Sequence, residues 1–208
     1  MTSVISGVKI PDSQLAREAA ELVRSYEDEM LFNHSVRVYV FGAMKGLRQK
    51  LKFDSELLYV AALFHDLGLV DHYHTETKRF EVDGADAARD FLRARGIAEP
   101  QADLVWEAIA LHTSPGIAER RGPLARLIRL GVRTDFGHPG IDPELRRAVE
   151  SEYPRLGIEK VLADAVVAQA LHRPEAERSE KAPPSSWPGG LLNAHLAKAQ
   201  NAAVNPAS

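Results

Sequence analysis

Cysteine is absent from the 208 residues of this chain, which excludes disulfides, iron–sulfur clusters and thiol nucleophiles. That absence is compatible with the cytoplasm without fixing it. No apolar run approaches the roughly 20 residues that a membrane span needs. The opening MTSVISGVKIPDSQ has neither a basic start nor an apolar core of signal-peptide length. A soluble, cytoplasmic protein without a membrane partner is therefore the expectation. Charge of one sign is lacking as well: the net charge is -3 with acids and bases mixed along the chain, so there is no electrostatic footprint for nucleic acid. Internal repeats are not visible, and strand patterns are nearly absent. The 45% of residues that are hydrophobic suffice for one domain with a sizeable core, not comfortably for two.

What is present is helical punctuation. Ser13 or Asp12 can cap a first helix to about Met30, with Leu15, Ala19, Leu22 and Tyr26 on one stripe. A second is expected from about Asn33 to Leu51, and a third opens at Asp54 or Ser55 and is apolar almost all round from Leu57 to Phe64. Gly68 breaks it, and Val70 to Phe80 lacks either period and reads as a loop. Further helices are expected over about 82–95, 99–112, 124–135, 142–154 and 158–171. The stretch RPEAERSEKAPPSSWPGG is polar and rich in proline and serine, so it reads as a linker or wrapped tail, with a short helix at Leu191 to Gln200 and fraying beyond Asn201. The expected architecture is an all-α bundle: residues 1–30 packed on the core, 31–175 the domain, and 176–208 the linker and tail.

The doublet His65-Asp66, at the end of LLYVAALF, is the most informative feature. A carboxylate beside an imidazole at the edge of a buried segment needs something to neutralise it, and a metal ion would. His34 opens an apolar helical stretch upstream and Asp135 ends one downstream. At i, i+4 and i+7 spacing, His34 shares a face with Val38 and Phe41, His65 with Ala61 and Leu58, and Asp135 with Gly131, Ile128 and Leu124. All three segments thus turn a ligand-type side chain toward the core. Taken singly, an inward histidine is more often a hydrogen-bonded core residue. Taken together, two imidazoles and two carboxylates suit one divalent transition metal, with zinc preferred and iron or manganese as alternatives.

The series His34, His65-Asp66, Asp135 in a helical chain resembles the HD-domain superfamily of metal-dependent phosphohydrolases and related enzymes, over roughly residues 30 to 175. Locally, FNHSVRVYVFG, ELLYVAALFHDLGL and an inward His112 look like its cyanamide hydratase branch, whose members add water to a nitrile. The resemblance implies His34, His65, Asp66 and Asp135 as metal ligands. Many phosphohydrolases of the superfamily carry lysine where HDLGL has Leu69, and an apolar residue cannot neutralise phosphoryl oxygens. That demotes phosphate chemistry, unless Lys78, Arg79, Arg120 or Arg121 compensates. In the superfamily a histidine at the position of His112 can ligate a second metal or touch substrate. A second metal would need His72 or His74, which sit in a loop with no helical register to hold them.

A metal with an open position lowers the pKa of water toward ~7 and makes hydroxide available as a nucleophile for a nitrile carbon. His112 is the first candidate for proton donor or substrate anchor, and Glu81 the second, with a first-turn helix role as its alternative. Asn33 and Leu69 are the candidate substrate contacts, although Asn33 equally suits a helix cap. The expected partner is a small molecule, and homo-oligomerisation is left open. Two other functions stay in view: hydrolysis of a nucleotide or other phosphomonoester, and a nucleotide-sensing or interaction module on a degenerate HD fold. Loss of ligands would mark the last, and none is missing.

Overall fold

Capping side chains set where the first three helices begin. In a computed structural model, which describes residues 4–204, Ser13 accepts from the Ala16 N–H and opens α1 (Gln14–Arg24). Asp28 accepts from the Leu31 N–H at 2.8 Å and opens α2 (Glu29–Arg48). Asp54 caps α3 (Ser55–Phe64), followed by a single 3-10 turn at Leu67–Leu69. Then come α4 (Phe80–Arg93), α5 (Glu99–Ala110), α6 (Pro123–Asp135), α7 (Pro143–Glu152) and α8 (Ile158–Leu171). The chain closes with α9 (Arg178–Lys181) and α10 (Trp187–Val204). Prolines sit in the first turns of α5, α6 and α7, where a missing N–H removes no helical bond.

The class is all-α, as expected, with local differences, among them α9 and an 18-residue α10 where a linker and a short helix at Leu191 to Gln200 were expected. A hairpin of two-residue strands, β1 (Val4–Ile5) and β2 (Val8–Lys9), turns at Ser6-Gly7, both with positive φ. Strands of two residues are too short to show a period. The first helix stops at Arg24 and not near Met30, because Asp28 opens a new helix four residues before Asn33. The buried stripe of α1 is Ala16, Ala19 and Val23, with Leu15 and Leu22 only partly buried and Tyr26 exposed.

The third helix is the hub. Leu57 to Phe64 are all buried, and α1, α2, α4, α5 and α6 pack around them. The most extensive helix pair is α2 with α6. Its closeness depends on glycine: a Cβ at Gly131 would collide with the Val38 carbonyl, and one at Gly42 would lie 2.8 Å from the Leu127 carbonyl oxygen. Backbones that approach this closely bring His34 of α2 and Asp135 of α6 into direct contact. The C-terminal segment folds back: α10 packs on α8, with Ala170, Ala182 and Leu192 as their small apolar cluster. No helix among the described residues is long and apolar enough to cross a membrane.

Candidate metal centre

Three backbone elements deliver the site: α2 brings His34, the end of α3 brings His65-Asp66, and the residues after α5 bring His112. All four side chains are buried. The hydrogen bonds at their outer nitrogens fix which ring atom faces inward. His65 Nδ1 lies 2.7 Å from the Ala62 carbonyl and His112 Nδ1 lies 2.7 Å from the Ile109 carbonyl. A carbonyl only accepts, so both Nδ1 atoms donate. His34 Nδ1 likewise donates to the Asp135 carboxylate at 2.7 Å. In the neutral rings each Nε2 is therefore a bare acceptor, the tautomer that metal-binding histidines adopt when the other nitrogen is anchored.

Those acceptors converge. His34 Nε2 and His65 Nε2 are 3.2 Å apart, and Asp66 Oδ2 lies 3.4 Å from the first and 3.1 Å from the second. His112 Nε2 is 3.5 Å from the other carboxylate oxygen, Asp66 Oδ1. Among the described residues Asp66 Oδ2 is buried without a hydrogen-bond partner. One proton could satisfy one of these pairs; a divalent cation satisfies the two nitrogens and the oxygen together. His34, His65 and Asp66 thus form a group that fits a metal ion. Burial holds the His65 pKa down, toward the neutral form a ligand needs. Burial also opposes charge on His34, but the Asp135 and Asp66 carboxylates outweigh it and raise its pKa.

Asp135 stands elsewhere than expected. Its Oδ1 accepts from Arg37 Nε at 2.8 Å and an Arg155 guanidinium N–H at 2.9 Å; its Oδ2 accepts from His34 Nδ1 and from a second Arg37 N–H at 3.0 Å. Four donors fill the acceptor capacity of a carboxylate. In this geometry Asp135 holds the back of a ligand histidine, the carboxylate–histidine arrangement that orients a metal site, and has no oxygen left to serve as a fourth ligand. Despite the cost of burial, its hydrogen bond from His34 and the charge of Arg37 keep its pKa far below the carboxylate range.

The other expected residues fall into place around this cluster. Glu81 is fully buried but committed, since Arg79 pairs with it at 2.5 Å and the Thr113 hydroxyl donates to it. Asn33 does not cap α2; its amide donates to the Pro154 carbonyl at 3.3 Å. Leu69 sits partly buried in the 3-10 turn directly after the doublet. His72 stacks on Tyr26 with ring centroids 4.4 Å apart, and among the described residues neither it nor His74 joins a metal-binding group.

Sequence reasoning passed over three residues. Arg37, fully buried, is the first: it lies three residues after His34 and, besides Asp135, donates to the Tyr153 and Pro154 carbonyls. Trp187 is the second. Its backbone N–H donates to the Thr113 carbonyl at 3.2 Å, and its ring lies 6.1 Å from Phe136, whose own ring is 5.3 Å from His34. The polar tail therefore wraps onto the site through its one large aromatic. Glu27 is the third, buried in the turn between α1 and α2 with neither oxygen partnered among the described residues. Its signal was the spacing Ala16, Ala19, Val23, Glu27, which continues the buried stripe of α1 past the end of the helix; the neighbouring acids of SYEDEM masked it.

The fold and the ligand geometry define a helical HD-type metal enzyme, and comparison with known families agrees. The HD domain family model matches residues 31–169, and the chain belongs to that family. Within it the chain falls in the cyanamide hydratase-like branch. It is 30% identical over 172 residues to cyanamide hydratase DDI2 of Saccharomyces cerevisiae, and equally to cyanamide hydratase DDI3 of the same yeast; each alignment covers 76% of this chain and 75% of the relative.

Proposed function

We propose that this chain hydrates a small nitrile such as cyanamide, with one divalent ion, zinc first and iron or manganese as alternatives, held by His34, His65 and Asp66. The observation that carries the reading is a buried cluster of acceptors whose neighbouring cations are all committed. Arg37 and Arg155 are paired with Asp135, Arg79 with Glu81, and Arg129 donates to the His112 carbonyl at 2.9 Å. Lys78 pairs with Asp86, Arg121 with Glu107, and Arg120 donates to the Gly116 carbonyl. Phosphoryl transfer needs positive charge on the transferred oxygens; a neutral nitrile does not. The names of the yeast relatives point the same way.

An ion in this place supplies Lewis acidity and makes water a nucleophile at neutral pH. The protein's part is to shape the addition, in which the water oxygen bonds to the nitrile carbon and protons reach the nitrile nitrogen. His112 is suited to move a proton at Nε2, because its Nδ1 is locked to Ile109 and Nε2 faces Asp66. Phe80, with its ring 5.7 Å from His112, and Phe136 with Trp187 wall the site against bulk water. The partner in this reading is a small molecule and not a nucleic acid.

Metal analysis with a substrate panel tests the proposal. About one ion per chain and metal-dependent hydration of cyanamide, exceeding turnover of phosphomonoesters, is the expected result. Robust metal-dependent phosphatase activity without nitrile hydration would sink it. A second expectation concerns His112: the His112→Ala variant keeps its metal and loses ~10²-fold or more in rate, the usual scale for a positioned acid or base. Loss of metal in parallel would make His112 a ligand, and intact activity in a destabilised protein would make it structural.

A further inference from the structure

A sealed metal centre has to open before it can work, and the fold shows where. His34 and His65 are 0% exposed, Asp66 1% and His112 2%, so a substrate larger than water reaches them only when a covering element moves. We infer that the turn at residues 183–189 is that element, a gate over the metal centre whose closing residue, Trp187, limits the size of substrate admitted. The gate presupposes the metal site proposed above and is independent of which substrate it serves.

The helices that carry the ligands are fixed in place. The backbones of α2 and α6 approach so closely that a Cβ at Gly131 would collide, and α3 is enclosed by its neighbours. The C-terminal segment is held differently. Its apolar contacts, Ala170, Ala182 and Leu192 with the partly buried Leu171 and Leu196, form a small cluster separate from the main core, and few buried apolar contacts mark a unit that opens at low cost. Within it the turn is bonded to itself. Ser186 Oγ donates to the Pro183 carbonyl at 2.7 Å and accepts from the Gly189 N–H at 3.2 Å, and a Cβ at Gly189 would strike that same carbonyl. The turn therefore moves as one body. Only Trp187 joins it to both sides of the centre: its backbone N–H donates to the carbonyl of Thr113, beside His112, and its ring lies against Phe136, which lies against His34. Just before the turn, the Lys181 ammonium donates to the Thr75 carbonyl at 2.5 Å, in the loop that follows the doublet. A large indole at this junction restricts what passes, and its removal widens the entry.

Amide hydrogen exchange on the full-length, metal-loaded wild type reads the gate directly. The Trp187 amide should exchange through an opening ~100-fold or more frequent than the one that exposes α3 amides such as that of Leu63. Exchange of both only on global unfolding would overturn the gate. Extraction of the bound metal by excess EDTA is the second measurement. Trp187→Ala should speed extraction roughly tenfold or more, the scale of a lost aromatic pair and its buried area, at unchanged starting metal content, while Trp187→Phe stays near wild type. Leu192→Ala, which loosens the C-terminal cluster and leaves Trp187 in place, should speed extraction too. On cyanamide and benzonitrile, Trp187→Ala should raise kcat/KM for the bulkier nitrile relative to the smaller one, and Leu192→Ala should keep the wild-type ratio. A lower melting temperature in Trp187→Ala with extraction and substrate ratio unchanged would make Trp187 structural and overturn the gate. If wild type hydrates neither nitrile, the hydratase reading falls while exchange and extraction decide the gate; if it holds no ion, exchange alone decides it.

Discussion

Asp66→Ala is expected to leave the purified protein with only trace metal and no measurable metal-dependent turnover. The substitution removes the single anionic member of the His34, His65, Asp66 group, so ligand number and ligand charge fall together. Loss of a residue that merely orients a ligand costs roughly 10–100-fold in metal affinity; loss of the carboxylate ligand itself should exceed that. Stability gives a second readout. Metal that binds only the folded state raises the melting temperature, so chelation should lower that of wild type and leave that of the variant unchanged. Full metal occupancy in the variant would remove Asp66 from the site.

Asp135→Ala should be strongly destabilising, at about 3–5 kcal/mol measured on metal-free protein by denaturant titration. The reason lies in what it strands. Arg37 is fully buried, and two of its N–H groups end on Asp135 at 2.8 and 3.0 Å. Removing the acid leaves a buried guanidinium with only the Tyr153 and Pro154 carbonyls. The loss approaches the whole stability of a marginal domain. Pairing the change with Arg37→Met should recover part of it, since the double variant buries no unpaired charge, and the coupling energy isolates the pair. A loss below about 1 kcal/mol would show that the acid is not the partner holding Arg37. Metal affinity should also weaken, through a loosened His34 ring, but less than in Asp66→Ala. That order separates a residue that holds a ligand from a ligand.

Much of this arrangement was legible in the linear chain. Apolar spacing placed the faces of α2, α3 and α6 toward the core, and Val38, Ile128 and Leu58 are all buried there. The doublet at the end of α3 marked the centre, and its surroundings identified the family. These features are local: period, capping and adjacency each operate within a few residues, and sequence records them directly. What tertiary structure decided is which atom meets which. Whether Asp135 turned its oxygens to the metal side of His34 or to its back depended on Arg37 and on Arg155, one from α2 and one from the segment before α8. Glu27, in the turn between α1 and α2, became a buried acid with no hydrogen-bond partner among the described residues only once the helices had packed. Trp187 reached Phe136 and Thr113 because α10 doubled back on α8. Periodicity assigns a side chain to a face, but lone pairs are filled by donors that the chain brings from a hundred residues away, and that pairing exists only once the helices have packed.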